Sequence, residues 1–174
     1  MSKLFVDEIV HQSSQGSGTI TLGASGETIA LASGAEVSGF TGQNYPAFKA
    51  VLSANQSISG STSTVLQINT ELYDIGGYFD TSTYRYTPPA GKYCFVCSVG
   101  NNSYETFLYA FVLKNGSRAA ETLLDATQSV RALVSCVLDA NGTDYFELGT
   151  YISGGSAILD DNNRTWFSAF RIGA

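Results

Sequence analysis

Charge is scarce in this chain. Of 174 residues, nine are Lys or Arg and fifteen are Asp or Glu, a charged share of 14% where about a quarter is usual for a soluble domain. The nine cations are scattered singly from Lys3 to Arg171, and the net charge is −6. Neutralising a phosphate backbone needs clustered Lys and Arg, so nucleic acid is excluded as a partner. Histidine occurs once, as His11, outside the aromatic-rich region. No Ser/His/acid or Cys/His arrangement can therefore be assembled there to activate a nucleophile. The three cysteines cannot all pair within one chain and fit no metal-ligand spacing. Cys94 and Cys97 have the outline of a C-x-x-C, but Phe95 and Val96 continue a strand-like run, in which positions three apart face opposite ways. They read as core cysteines of a chain that folds in a reducing cytosol. Long hydrophobic runs are lacking too: the longest, Phe107 to Leu113, has seven residues, too few to span a bilayer. Asp7 and Glu8 interrupt the only apolar stretch near the start, unlike a secretory signal. Membrane insertion is not expected.

Aromatic residues are missing from the front of the chain. Residues 1 to 39 contain only Phe5, whereas the other twenty of the 21 aromatics lie between Phe40 and Ala174. The front piece cannot build an ordinary monomeric core. Thirteen of the 32 residues from Ser13 to Asn44 are Gly or Ser, the composition of a flexible spacer. An internal repeat points elsewhere. Ser17-Gly18, Ser25-Gly26 and Ser33-Gly34 recur every eight residues, with Ile20, Leu22, Ile29, Leu31 and Val37 between and after them. Small strands of this kind bury too little alone, but three chains wound about one axis can bury their Ile, Leu and Val together. The expected organisation is a docking segment over residues 1–12, with Leu4, Phe5, Val6, Ile9 and Val10 as its apolar contacts, a Gly/Ser-rich β-stem over 13–43, and a head over 44–174.

The head shows strands and turns with no long helical period. Leu66, Ile68, Thr70 and Leu72 alternate with Gln67, Asn69 and Glu71, which predicts one half-buried strand. Phe146, Leu148, Thr150 and Ile152 alternate with Tyr145, Glu147, Gly149 and Tyr151, which predicts another. Asn115-Gly116 and Asn141-Gly142 are two-residue hairpin signals. The expected class is an all-β sandwich. Two strands are apolar on both faces: Phe107, Tyr109, Phe111 and Leu113 oppose Leu108, Ala110 and Val112, while Trp166, Phe170 and Ile172 oppose Phe167 and Ala169. A two-layer sandwich gives each strand one core face, so the second needs another layer or a neighbouring copy. With so few charges to cover the exterior, this predicts an oligomer. Its expected interface residues are Phe107, Tyr109, Phe111, Trp166, Phe167 and Phe170.

Specific motifs carry a family resemblance. Gly77-Tyr78-Phe79-Asp80 followed by Tyr86-Thr87-Pro88-Pro89-Ala90-Gly91-Lys92-Tyr93-Cys94-Phe95 resembles the hallmark of the complement C-one-q globular-head family, whose jelly roll is shared with tumour necrosis factor. Pro46-Ala47-Phe48-Lys49-Ala50 resembles the family's first strand, Lys114-Asn115-Gly116 its middle hairpin, Gly142, Asp144, Phe146 and Leu148 its G-D-x-V-x-L strand, and Phe167-Ser168-Ala169-Phe170 its terminal F-S-G-F. Tyr86 stands where the family pattern has Phe, and no collagen repeat precedes the head. The resemblance implies a ten-stranded jelly roll in a homotrimer, with the Phe107 and Trp166 strands in the inner sheet around the threefold axis. The segment Leu4 to Val10, followed by Gly18-Thr19-Ile20-Thr21-Leu22-Gly23, resembles the start of fibre and appendage proteins of tailed bacteriophages.

No cofactor, metal or catalytic residue is expected. Asp160-Asp161-Asn162-Asn163 has oxygen ligands without the spacing of a calcium loop. Glu71, Asp74, Asp80, Asp144 and Glu147 are the carboxylates that a glycosidase-like cleft would have to draw from. The expectation is a structural virion protein, a homotrimeric tail fibre, spike or head-decoration subunit. Other virion proteins would be its partners at the N-terminus, and a host-surface glycan or protein its partner at the tips. Loops around Ser57 to Thr64, Asn101 to Tyr104 and Gly154 to Asn163 would carry adhesion. The alternative is a free trimeric recognition module, lectin-like or protein-binding.

Overall fold

The computed structural model describes residues 46–101, 107–125, 130–154, 156–159 and 164–173. The docking residues Leu4, Phe5, Val6, Ile9 and Val10, the stem repeat and the Asp160 to Asn163 turn lie outside the described residues. All described regular structure is β. The first strands are β1 (Ala47–Val51), β2 (Gln56–Ser59), β3 (Thr64–Val65), β4 (Thr70–Ile75), β5 (Phe79–Asp80) and β6 (Arg85–Tyr86). Longer ones follow: β7 (Gly91–Asn101), β8 (Phe107–Lys114), β9 (Ser117–Asp125), β10 (Val130–Ala140), β11 (Phe146–Ile152), β12 (Ser156–Leu159) and β13 (Trp166–Gly173). Three of these, β3, β5 and β6, are two residues long, so among the described residues ten strands exceed that length.

Two sheets form. In the seven-stranded sheet the order is β2-β12-β7-β13-β1-β4, with β10 on the other flank of β7; the six-stranded sheet runs β5-β6-β11-β8-β9, with β3 also on β11. The inward side chains close the core between them. Phe48, Tyr93, Phe95 and Phe167 come from the first sheet, and Phe79, Tyr86, Phe146 and Leu148 from the second, all buried. Phe48 stacks on Tyr86 at 4.2 Å and on Phe79 at 4.8 Å, and Phe167 meets it edge-on at 4.9 Å. Aromatic contacts of this geometry add about 1 kcal/mol each beyond area burial.

The periodic strands fall where the alternation predicts. Phe146, Leu148, Thr150 and Ile152 are buried on β11, and Phe167 and Ala169 face inward on β13 while Phe170 and Ile172 face out. Asn115 and Gly116 have φ of 52° and 79° and join β8 to β9 with Lys114 opposite Ser117, the twist a two-residue hairpin requires. Two expectations fail for one reason. The run from Leu66 to Leu72 is not a single strand: β3 belongs to one sheet and β4 to the other, so the alternation spans a crossing, and Leu72, beside a register shift in β1 and β4, is exposed. Asn141-Gly142 likewise does not close a hairpin, because β10 and β11 lie in different sheets. There the Asn141 side chain accepts hydrogen bonds from the backbone of Thr143 and Asp144, both at 2.8 Å, and shapes a longer crossing loop.

Candidate functional site

The doubly apolar strands separate. β13 lies in the seven-stranded sheet and β8 in the six-stranded sheet, so the expectation that both line one inner sheet is corrected. Trp166, Phe167 and Phe170 belong to one layer, Phe107, Tyr109 and Phe111 to the other, and within each strand the pleat divides them again. Phe167 points into the sandwich and is fully buried, which removes it from any outer face.

On the six-stranded sheet the chain closes much of its own second apolar face. Phe111 points away from the core yet is 1% exposed. Its ring lies over Gly149, the cross-strand residue on β11, where a Cβ would occupy the ring's place. The Arg118 guanidinium lies over the ring at 4.1 Å. That guanidinium is held by Glu121 at 2.9 Å and donates to the Ser63 hydroxyl at 2.7 Å. Tyr109 meets Tyr151 edge-on at 5.6 Å, and Arg85 pairs with Glu147 at 2.9 Å along the same face. Phe107, Leu123 and Val65 remain exposed. Period alone could not show this covering, because Arg118 and Gly149 come from strands beside β8, not from β8 itself.

The seven-stranded sheet is different. Its outward row runs Ile75, Ala47, Phe170, Cys94 and Val137 across β4, β1, β13, β7 and β10, each opposite the next. All five are apolar, and Ile75, Phe170 and Val137 are 53%, 47% and 56% exposed. A second row places Val51, Trp166, Ser98 and Leu133 side by side. Lys49 covers the Trp166 ring at 4.9 Å, an attraction that keeps the indole partly sheltered. The sequence singled out Trp166 and Phe170 but missed Ile75, Leu133 and Val137, which become visible only through the strand order. Between the two rows lies a more polar one, Tyr73, Lys49, Ser168, Val96 and Ser135, so this face carries two apolar rows separated by polar groups and is the candidate association surface.

The carboxylates do not assemble into a cleft. Glu147 binds Arg85, and Asp144 binds Lys114 at 3.0 Å and accepts from the Asn115 amide at 2.7 Å. Asp80 accepts from the hydroxyls of Ser82 and Thr83, which with the Ser82 amide lowers its carboxyl to about 2. Asp74 accepts from the Phe79 amide at 2.7 Å. Each of these four has its own local partner, and Glu71 is exposed on β4. Among the described residues no group of His, Cys, Asp and Glu could hold a metal. The three cysteines are free, and Cys94 and Cys97 sit on opposite faces of β7 as the strand reading requires. Burial pushes the Cys97 thiol well up and that of Cys136 to about 11, so neither is primed for chemistry.

The described parts of the three expected adhesive segments meet. β2 pairs along its length with β12, and β12 touches β7 at Leu159 opposite Asn101. The Ser61 amide also donates to the Ile152 carbonyl at 2.8 Å. Residues from distant parts of the chain therefore share one edge of the head.

No family model and no curated protein matches the sequence. Solved structures do match. Murine APRIL at pH 8.5 superposes with a TM-score of 0.59 at 13% identity, covering 74% of this chain and 99% of that one. The globular domain of the zebrafish complement 1qA protein superposes with a TM-score of 0.53 at 17% identity, covering 73% and 97%. The described region is thus a jelly roll of the type shared by tumour necrosis factor and the complement C-one-q heads.

Proposed function

We propose that this jelly roll is the non-enzymatic head of a structural bacteriophage virion protein, a homotrimeric fibre, spike or decoration subunit that meets the host surface. The observation that carries the proposal is the apolar row across β4, β1, β13, β7 and β10. Completing the burial of Ile75, Phe170, Val137, Leu133 and Ile172, each about half exposed, is worth roughly 1–2 kcal/mol per side chain, and a threefold assembly repeats that gain in every copy. The jelly-roll likeness supports the number three, since assembly about the inner sheet is what the resemblance implies. In the seven-stranded sheet the interface residues are Trp166 and Phe170 from the sequence, joined by Ile75, Leu133 and Val137.

The virion placement rests on the N-terminal resemblance. Leu4, Phe5, Val6, Ile9 and Val10 dock the chain to the particle, residues 13–43 form the stem, and three heads on one axis raise weak contacts by avidity. Antibody-labelled electron microscopy of purified particles tests it. Label on the tail or capsid is the expected result; particles without label while the soluble fraction carries the protein would instead leave a free recognition module.

A further inference from the structure

We propose that a cavity beside the β1–β2 turn binds an uncharged saccharide. The cavity holds about 300 Å³ and is lined by Ser53, Asn55, Gln56, Ser57, Gln67 and Asn69 above Leu52. That volume reaches the lower range of small-ligand sites. Its chemistry is uniform: four side-chain carboxamides and two hydroxyls line it, and no ionisable group is among the described lining residues.

Two of the amides are oriented by the backbone. The Ser53 amide donates to Asn69 Oδ1 at 2.9 Å, and the Gln67 amide donates to Gln56 Oε1 at 3.0 Å. A backbone N–H can be received only by the carboxamide oxygen, so these bonds fix which end of each amide is turned away from the chain. Asn69 Nδ2 and Gln56 Nε2 are left as N–H₂ donors, preset before any ligand arrives. Donors held in place lose little freedom on binding. They suit hydroxyl, ring or acetamido oxygens, and the serine hydroxyls can donate or accept as a sugar hydroxyl demands.

Charge narrows the ligand. The described lining residues include no Lys or Arg, which on a chain of net charge −6 disfavours an acidic glycan, and no Asp or Glu, so they offer a cation no counter-charge. A peptide would need an apolar slot for its side chains, and among the described lining residues only Leu52 and Ala54 are apolar. A neutral saccharide remains. Gln56 and Ser57 belong to β2, so the cavity adjoins the edge where β2, β12 and the end of β7 meet. This rests on reading the head as a recognition module, but not on its placement on a particle or on its trimeric state.

Saturation-transfer NMR on the full chain tests it. The probes are neutral trisaccharides of glucose, galactose, mannose and N-acetylglucosamine at millimolar concentration, with a hyaluronan fragment and a blocked neutral tripeptide as competing classes. Transfer to at least one neutral trisaccharide is expected. In the double variant Gln56→Glu, Asn69→Asp each new carboxylate still accepts from its backbone amide, so the turn is kept while both donors become acceptors. Binding should weaken by about a hundredfold, tenfold for each lost bond, with an unchanged circular dichroism spectrum. Absence of transfer to every neutral saccharide, equal transfer in the variant, or preference for the hyaluronan fragment or the tripeptide would each overturn the proposal. Sedimentation and particle labelling report on the proposed assembly separately, so either reading can fail alone.

Discussion

Replacing Phe170 by Asp probes the apolar row at its centre. Phe170 is 47% exposed on β13, between Ala47 and Cys94. A phenylalanine buries about 200 Å² when covered, so about 90 Å² awaits a partner in each copy, worth about 2 kcal/mol. One substitution acts three times in a trimer, giving about 6 kcal/mol, or roughly four orders of magnitude in the assembly constant. Three carboxylates forced together add a desolvation cost of several kcal/mol. Leu123→Asp is the matched control, also 47% exposed but on β9 of the other sheet. Sedimentation velocity at micromolar concentration should show Phe170→Asp losing the native mass and Leu123→Asp keeping it. The opposite pattern, with Leu123→Asp dissociating and Phe170→Asp intact, would refute the choice of sheet.

Three further outcomes follow from buried and charged groups. The Tyr86 hydroxyl is buried without a partner, so Tyr86→Phe, which restores the family pattern, should leave the melting temperature unchanged or raise it; a loss above about 1 kcal/mol would reveal a bond to that hydroxyl. Cys97 is buried and its thiol is pushed up, while Cys94 lies within the apolar row. Iodoacetamide with mass spectrometry should therefore leave both unmodified in the native assembly and mark Cys94 first in Phe170→Asp. Asp80 is held at about 2 by Ser82 and Thr83, against 3.8 ordinarily, and Asp144 and Asp139 are lowered by hydrogen bonds from Asn115 and Lys92. A lowered folded value adds stability that is present above the ordinary carboxylate range and is lost as pH falls from about 4 through about 2. Melting curves should decline over that window, with Asp80→Asn lying below the native protein above pH 4 and converging on it near pH 2.

What the sequence made legible was what depends on near neighbours along the chain. The alternation in Phe146 to Ile152 gave the buried face of β11, and Asn115-Gly116 gave a hairpin because its positive φ angles need nothing beyond those two residues; in Trp166 to Ile172 it separated two apolar faces without telling which is buried, so Phe167 was expected at an interface and lies in the core. Sheet membership was not legible. The chain crosses between layers from β3 to β4 and from β10 to β11, and a period of two looks the same whether or not a crossing interrupts it. Phe111 shows a second limit: its outward ring looked like an interface residue, and only the cross-strand neighbours Gly149 and Arg118 reveal that its own chain covers it. The amide-lined cavity escaped for a similar reason. Ser53 and Asn69 are sixteen positions apart, and polar residues in turns carry no periodic signal.

The mass of the native chain in solution bears most directly on the central claim, that the exposed row of the seven-stranded sheet is covered by other copies of the same chain. Sedimentation equilibrium at micromolar concentration should give about 55 kDa, three times the 18.5 kDa of one chain. A stable, folded species of 18.5 kDa under the same conditions would contradict it.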